Sequence, residues 1–118
     1  MRTHIEDFSR GNRRKVPLAD ISHCIADSKW VEVHAPGVVL LIEQSLTSLE
    51  AEFPDKFVRL HRNCIASRDH VERVFMRNGA ARAELRGVSL VLSVSRRQAP
   101  TVRRALRERR AANATANP

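Results

Sequence analysis

The chain has little of what most site chemistries require. Its four glycines, Gly11, Gly37, Gly79 and Gly87, are spread singly, so there is no glycine-rich loop to cradle a phosphate. The two cysteines, Cys24 and Cys64, stand apart from any CxxC or ligand-spaced histidine. That spacing excludes the usual zinc patterns and reads as two buried thiols. The five histidines, at 4, 23, 34, 61 and 70, fall at no metal-binding interval. There is no HExxH and no nucleophile elbow, so no enzyme activity, metal or cofactor is expected. Four Phe, one Trp and no Tyr leave no stacking pair on one strand, which weighs against an RNA-binding β module. The longest useful apolar run, Val38 to Ile42, is far short of the roughly 18 residues of a membrane span. The opening MRTHIEDFSRGNRRK has no apolar stretch of the kind a signal peptide carries, so the expected place of work is the cytoplasm.

One charge sign is in excess. Lys and Arg number 21 against 13 Asp and Glu, for a formal net charge of +8. Only Lys15, Lys29 and Lys56 are lysines; the rest of the basic residues are arginines. Arginine presents a planar fork that pairs through two bonds with a phosphate or with the edge of guanine. The excess therefore suits a nucleic-acid partner, and equally a basic surface that meets an acidic protein. With 42% apolar residues the chain folds, and its 118 residues supply one domain with one modest core.

Most of the chain alternates with period two. Trp30, Glu32 and His34 oppose Val31 and Val33, and Pro36-Gly37 turns the chain into the run 38–42, which reads as a hairpin. Asn78-Gly79 is the strongest hairpin signal, leading from Val71–Phe75 to Ala81–Leu85. A first strand is expected near Arg14–Leu18. Two segments follow a helical period. Leu46, Leu49 and Phe53 share a face over about 45–53, and Pro54 ends it. Ser95-Arg96-Arg97-Gln98 has the form of a capping box for a helix over about 96–110, whose regular part starts near Pro100. The fold class is mainly β. Residues 1–13 read as a leader or linker, 14–110 as the folded domain and 111–118 as a disordered tail. Trp30 reads as core more readily than as surface.

Three polar clusters break the apolar pattern. In FVRLHRNCIAS, Arg59, His61, Arg62 and Asn63 stand between apolar segments. Strand parity would bury Arg62 beside Leu60, so a turn is expected at His61-Arg62-Asn63, with Asn tolerant of a left-handed backbone. Arg and Asn at such a tip can pair with guanine and adenine in a major groove; the other reading is a polar turn whose arginines make surface ion pairs. Ser95, Arg96 and Arg97 sit where a helix begins, and amide groups there favour phosphate. Lys29 lies at the tip of the turn Asp27-Ser28-Lys29-Trp30.

Taken in order, VPLADISHCIADSKWVEVH, LLIEQSLTSLEAEFP, FVRLHRNCIAS and LSVSRR resemble the LytTR-type DNA-binding domain, in the branch found in AlgR-like response regulators. The resemblance runs from about Val16 to Leu106. It implies an elongated β-β-β sandwich with one packed helix and a C-terminal helix. It also implies binding to double-stranded promoter DNA through loops in successive major grooves, often at paired direct repeats. By matching position, the DNA contacts fall on Lys29, on Arg59, His61, Arg62 and Asn63, and on Ser95, Arg96 and Arg97, with Arg59 and His61 partly bracing their loop. The resemblance further implies the output half of a two-component response regulator. A phosphoacceptor receiver domain is then expected upstream, and phosphorylation pairs two such domains as a dimer on tandem sites. Some members place a cysteine beside the histidine of the motif; here Leu60 holds that place, which argues against redox control.

Overall fold

The computed structural model describes residues 2–9 and 11–116. Among them are ten strands, two helices and two short 3-10 turns. Strands β1 (His4–Ser9) and β2 (Asn12–Pro17) form a hairpin. Five strands make the central sheet: β3 (His23–Asp27), β4 (Trp30–Ala35), β5 (Val38–Ile42), β6 (Phe57–His61) and β7 (Cys64–Ser67), in the order β5-β4-β3-β7-β6. A second sheet holds β8 (Val71–Arg77), β9 (Ala80–Leu85) and β10 (Val91–Val94), in the order β10-β9-β8. All pairings are antiparallel. The mainly β architecture is the expected one.

The central sheet is covered along its length on one face and mainly over β6 and β7 on the other. One face sends Cys24, Val31, Val33, Leu40, Ile42 and Ile65 against Leu46, Leu49 and Phe53 of α1 (Leu46–Glu52) and its C-terminal flank. The other sends Val58, Leu60, Cys64 and Ala66 against the second sheet and against Val102, Ala105 and Leu106 of α2 (Ala99–Ala116). Each large aliphatic side chain so buried contributes about 1.5–3 kcal/mol, so the two cores carry the fold. The alternating β9 sequence AARAEL shows how this works: Ala81, Ala83 and Leu85 are buried, and Arg82 and Glu84 turn outward. Helix α1 starts at Ser45, whose hydroxyl accepts the Ser48 N–H at 3.1 Å.

Three sequence expectations need correction. The leader expected over 1–13 carries β1 and the start of β2, with Met1 and Arg10 outside the described residues. Ile5 is 1% exposed and joins the first core. Asp7 accepts the Leu41 N–H at 2.9 Å and Arg14 donates to the Val39 carbonyl at 3.3 Å, so the hairpin closes the free edge of β5. Its alternation was masked because the second inward position is the buried, Arg14-paired Asp7 and the apolar Phe8 faces solvent. The tail expected over 111–118 is helical to Ala116, because Ala111, Ala112 and Ala114 prolong a helix already nucleated; Asn117 and Pro118 lie outside the described residues. Trp30 is 36% exposed rather than core: Val31 and Val33 take the α1 side, and the second sheet does not extend over the opposite face of β4.

Candidate nucleic-acid interface

Two tight turns and a strand–helix junction come together at one end of the central sheet. The first turn, Ser28-Lys29, links β3 to β4, whose pairing ends at Asp27 and Trp30. Ser28 adopts a φ of 53°, a left-handed conformation that a short polar residue tolerates. The Lys29 ammonium lies 5.6 Å from the Trp30 ring centre, so the exposed indole steadies it.

The second turn, Arg62-Asn63, joins β6 to β7 beside the first, as the Ala26 N–H bonding the Asn63 carbonyl at 2.9 Å requires. Asn63 is not left-handed, contrary to expectation. Side chains hold this turn instead. The Arg59 guanidinium donates to Glu50 at 2.6 Å, to the Arg62 carbonyl at 2.9 Å and to Thr47 at 3.2 Å. One planar fork thus ties helix α1 to the turn's backbone. His61 Nδ1 accepts the Asn63 N–H at 3.2 Å, which places the neutral ring's proton on Nε2. Burial, then the charges of Arg59 and Arg62, lower the His61 pKa and favour that neutral form. Arg59 and His61 are therefore occupied in shaping the turn, and Arg62 and Asn63 project from it, exposed.

At the third element the Ser95 N–H bonds the Leu60 carbonyl at 2.9 Å, which sets the start of α2 against β6. The Ser95 hydroxyl accepts the Gln98 N–H at 3.2 Å, half of the expected capping box. Regular helix begins at Ala99, with Pro100 in its first turn, where a missing N–H costs nothing.

Between the second turn and this junction lies an open cleft of about 680 Å³, lined by Arg59, His61, Arg62, Arg68, Ser95 and Arg97 among others. Parts of two of the three expected clusters thus share one basic cleft, with Asn63 and Arg96 outside its lining. Arg68 was missed from sequence: its Nε donates to the Phe57 carbonyl at 3.2 Å, a contact made only once β6 and β7 have paired. Arg96 parts from Arg97 and lines a separate groove with Met76, Gly79 and Arg103. Lys29 lines neither.

The electrostatics favour an anion at this end. Carboxylates pair with Arg2, Arg13, Arg14, Arg59, Arg73 and Arg104. Arg62, Arg96 and Arg97 have no carboxylate partner among the described residues. The ion-pair alternative for Arg62 therefore fails. No group of three metal-ligating side chains occurs among the described residues.

Comparison with known proteins gives a consistent result. The family described as the LytTr DNA-binding domain matches residues 11–107. The positive alginate biosynthesis regulatory protein of Pseudomonas aeruginosa is 38% identical over 110 residues, covering 91% of this chain and 44% of the relative. The chain thus spans less than half the length of that relative. A solved LytTr DNA-binding domain from Bacillus cereus superposes with a TM-score of 0.79 at 20% identity, over 90% of this chain and 98% of the other, which shows a shared fold.

Proposed function

The chain belongs to the LytTr DNA-binding domain family, and from that membership we propose that it reads promoter DNA through the two turns and the junction at the end of its central sheet. The family is a DNA-binding and transcription-regulating one, not an enzymatic one. The observation that carries the finer reading is the row of Lys29, Arg62, Asn63, Arg96 and Arg97 at one end of the molecule, the arginines without a carboxylate partner among the described residues. Arg62 takes a guanine edge and Asn63 an adenine edge in the major groove. Arg96 and Arg97 hold phosphate, and Lys29 holds phosphate on the other side. Arg59 and His61, assigned by resemblance as contacts, act here as the frame of the reading turn. The whole regulator carries an upstream receiver domain whose phosphorylation pairs two such domains on repeated sites in the cytoplasm. No helix among the described residues is long and apolar enough to cross a membrane.

Fluorescence anisotropy against a duplex pool tests this, with scrambled duplex and single strand as controls, from about 50 to about 200 mM salt. Selection of a short repeated sequence is expected. Arg62→Ala and Asn63→Ala should each cost about 1–3 kcal/mol of base discrimination, whereas Arg97→Ala should weaken all duplexes alike. Equal binding to every nucleic acid would leave only a basic surface. No binding at low salt would turn the basic end toward an acidic protein.

A further inference from the structure

We infer that the β8–β9 turn, with Arg77, Arg96 and Arg103, is a further contact site that grips the DNA phosphate backbone beyond the turns described above. The inference rests on the promoter-reading proposal and extends its surface. Asn78 and Gly79 take φ values of 52° and 78°, a tight two-residue turn whose twist matches its strands. Pairing of Arg77 with Ala80, and of Ala81 with both Met76 and Val94, brings this turn beside the residues that follow Val94. It therefore lies at the same end as Ser95. Arg96 lines a groove of about 340 Å³ with Met76, Gly79 and Arg103, and no acidic residue lines it.

Arg96 and Arg103 line that groove and Arg77 stands beside it at the start of the turn, and none of the three has a carboxylate partner among the described residues. Arg77 stacks on Phe75, its guanidinium carbon 5.2 Å from the ring centre, and so is held without being neutralised. Arg103 reaches the Met76 sulfur at 3.6 Å, the one hydrogen bond its side chain makes among the described residues. Arg96 is exposed. By contrast Arg104, one residue on, faces Glu108 at 3.9 Å.

Spacing supplies the second reason. Neighbouring strands lie about 4.8 Å apart, so the first turn and Ser95, with β10 placed next to β6, are separated by up to about 17 Å. Inclusion of the β8–β9 turn lengthens the row by about 7 Å, so its basic side chains can meet a longer stretch of the phosphate backbone.

The test uses a selected duplex and a copy whose flanking phosphates are replaced by neutral methylphosphonates. Arg77→Ala with Arg103→Ala should weaken binding to the charged duplex about tenfold at low salt and reduce the salt slope by about 2. Sequence preference should be unchanged, and the neutral-flank copy should show no loss. Arg104→Ala, which removes the same charge elsewhere on α2, should have little effect. Unchanged affinity and slope in a folded double variant would overturn the inference while leaving promoter reading intact. So would an equal loss from Arg104→Ala, or a loss of sequence preference. Wild-type protein without preference for any duplex would sink the promoter-reading proposal instead, and the flank dependence of the double variant would still decide the phosphate grip.

Discussion

Acidification from about pH 7.5 to about pH 5 is expected to cost the domain about 2 kcal/mol through His23. His23 is 2% exposed and stacks on His34 with ring centres 4.3 Å apart. Its Nδ1 lies 2.8 Å from the Ser22 hydroxyl, and its Nε2 has no hydrogen-bond partner among the described residues. Burial first, then the charges of His34 and His70, bring its pKa down to about 4 from 6.5. The folded state thus resists a proton that the unfolded chain accepts. Stability from this group is complete above pH 6.5, falls as pH drops through the window to about 4, and is then constant. The full difference is roughly 3 kcal/mol, of which about 2 is lost by pH 5. Glu52, held by Arg2 and then Gln44 down to about 2, stays ionised throughout. Urea denaturation at several pH values measures the effect, since a 2 kcal/mol loss moves the midpoint by about 1 M. His23→Phe keeps a ring on His34 without a titrating nitrogen, and its stability should depend much less on pH. A variant as acid-sensitive as the wild type would refute the assignment, whatever its absolute stability.

Arg59→Ala should cost about 1–3 kcal/mol and remove sequence preference, because the Arg62 carbonyl, Thr47 and Glu50 lose their common partner. Denaturation and anisotropy together test this, and full preference in the variant would show that the turn holds itself. Burial pushes the thiols of Cys24 and Cys64 up to about 12, so roughly a thousandfold less thiolate is present than in an ordinary cysteine near neutrality. Alkylation in native buffer should be slow and become fast on unfolding; rapid native labelling would contradict the burial.

Strand and helix positions were legible where periodicity was clean. The β4 and β5 hairpin, the Asn78-Gly79 turn and the face formed by Leu46, Leu49 and Phe53 all formed as their spacing indicated. The hairpin of β1 was not legible, because its one decisive feature, Ile5 entering the core, is a single residue among charges. The fate of Trp30 was not legible either: parity assigned it to a face, but only the reach of the second sheet determined whether that face was covered.

The same division holds for the candidate site. Residue type and order alone placed arginine and asparagine at turns, since burying an unpaired guanidinium is costly and turns are where the chain can expose it. Which of those arginines remain free was decided by tertiary structure. Arg59 meets Glu50 because α1 packs across β6, Arg96 and Arg97 diverge because α2 starts between two grooves, and Arg68 joins Arg62 through a strand pairing. Local chemistry sets what a side chain can bind, and long-range packing sets which partners have already taken it.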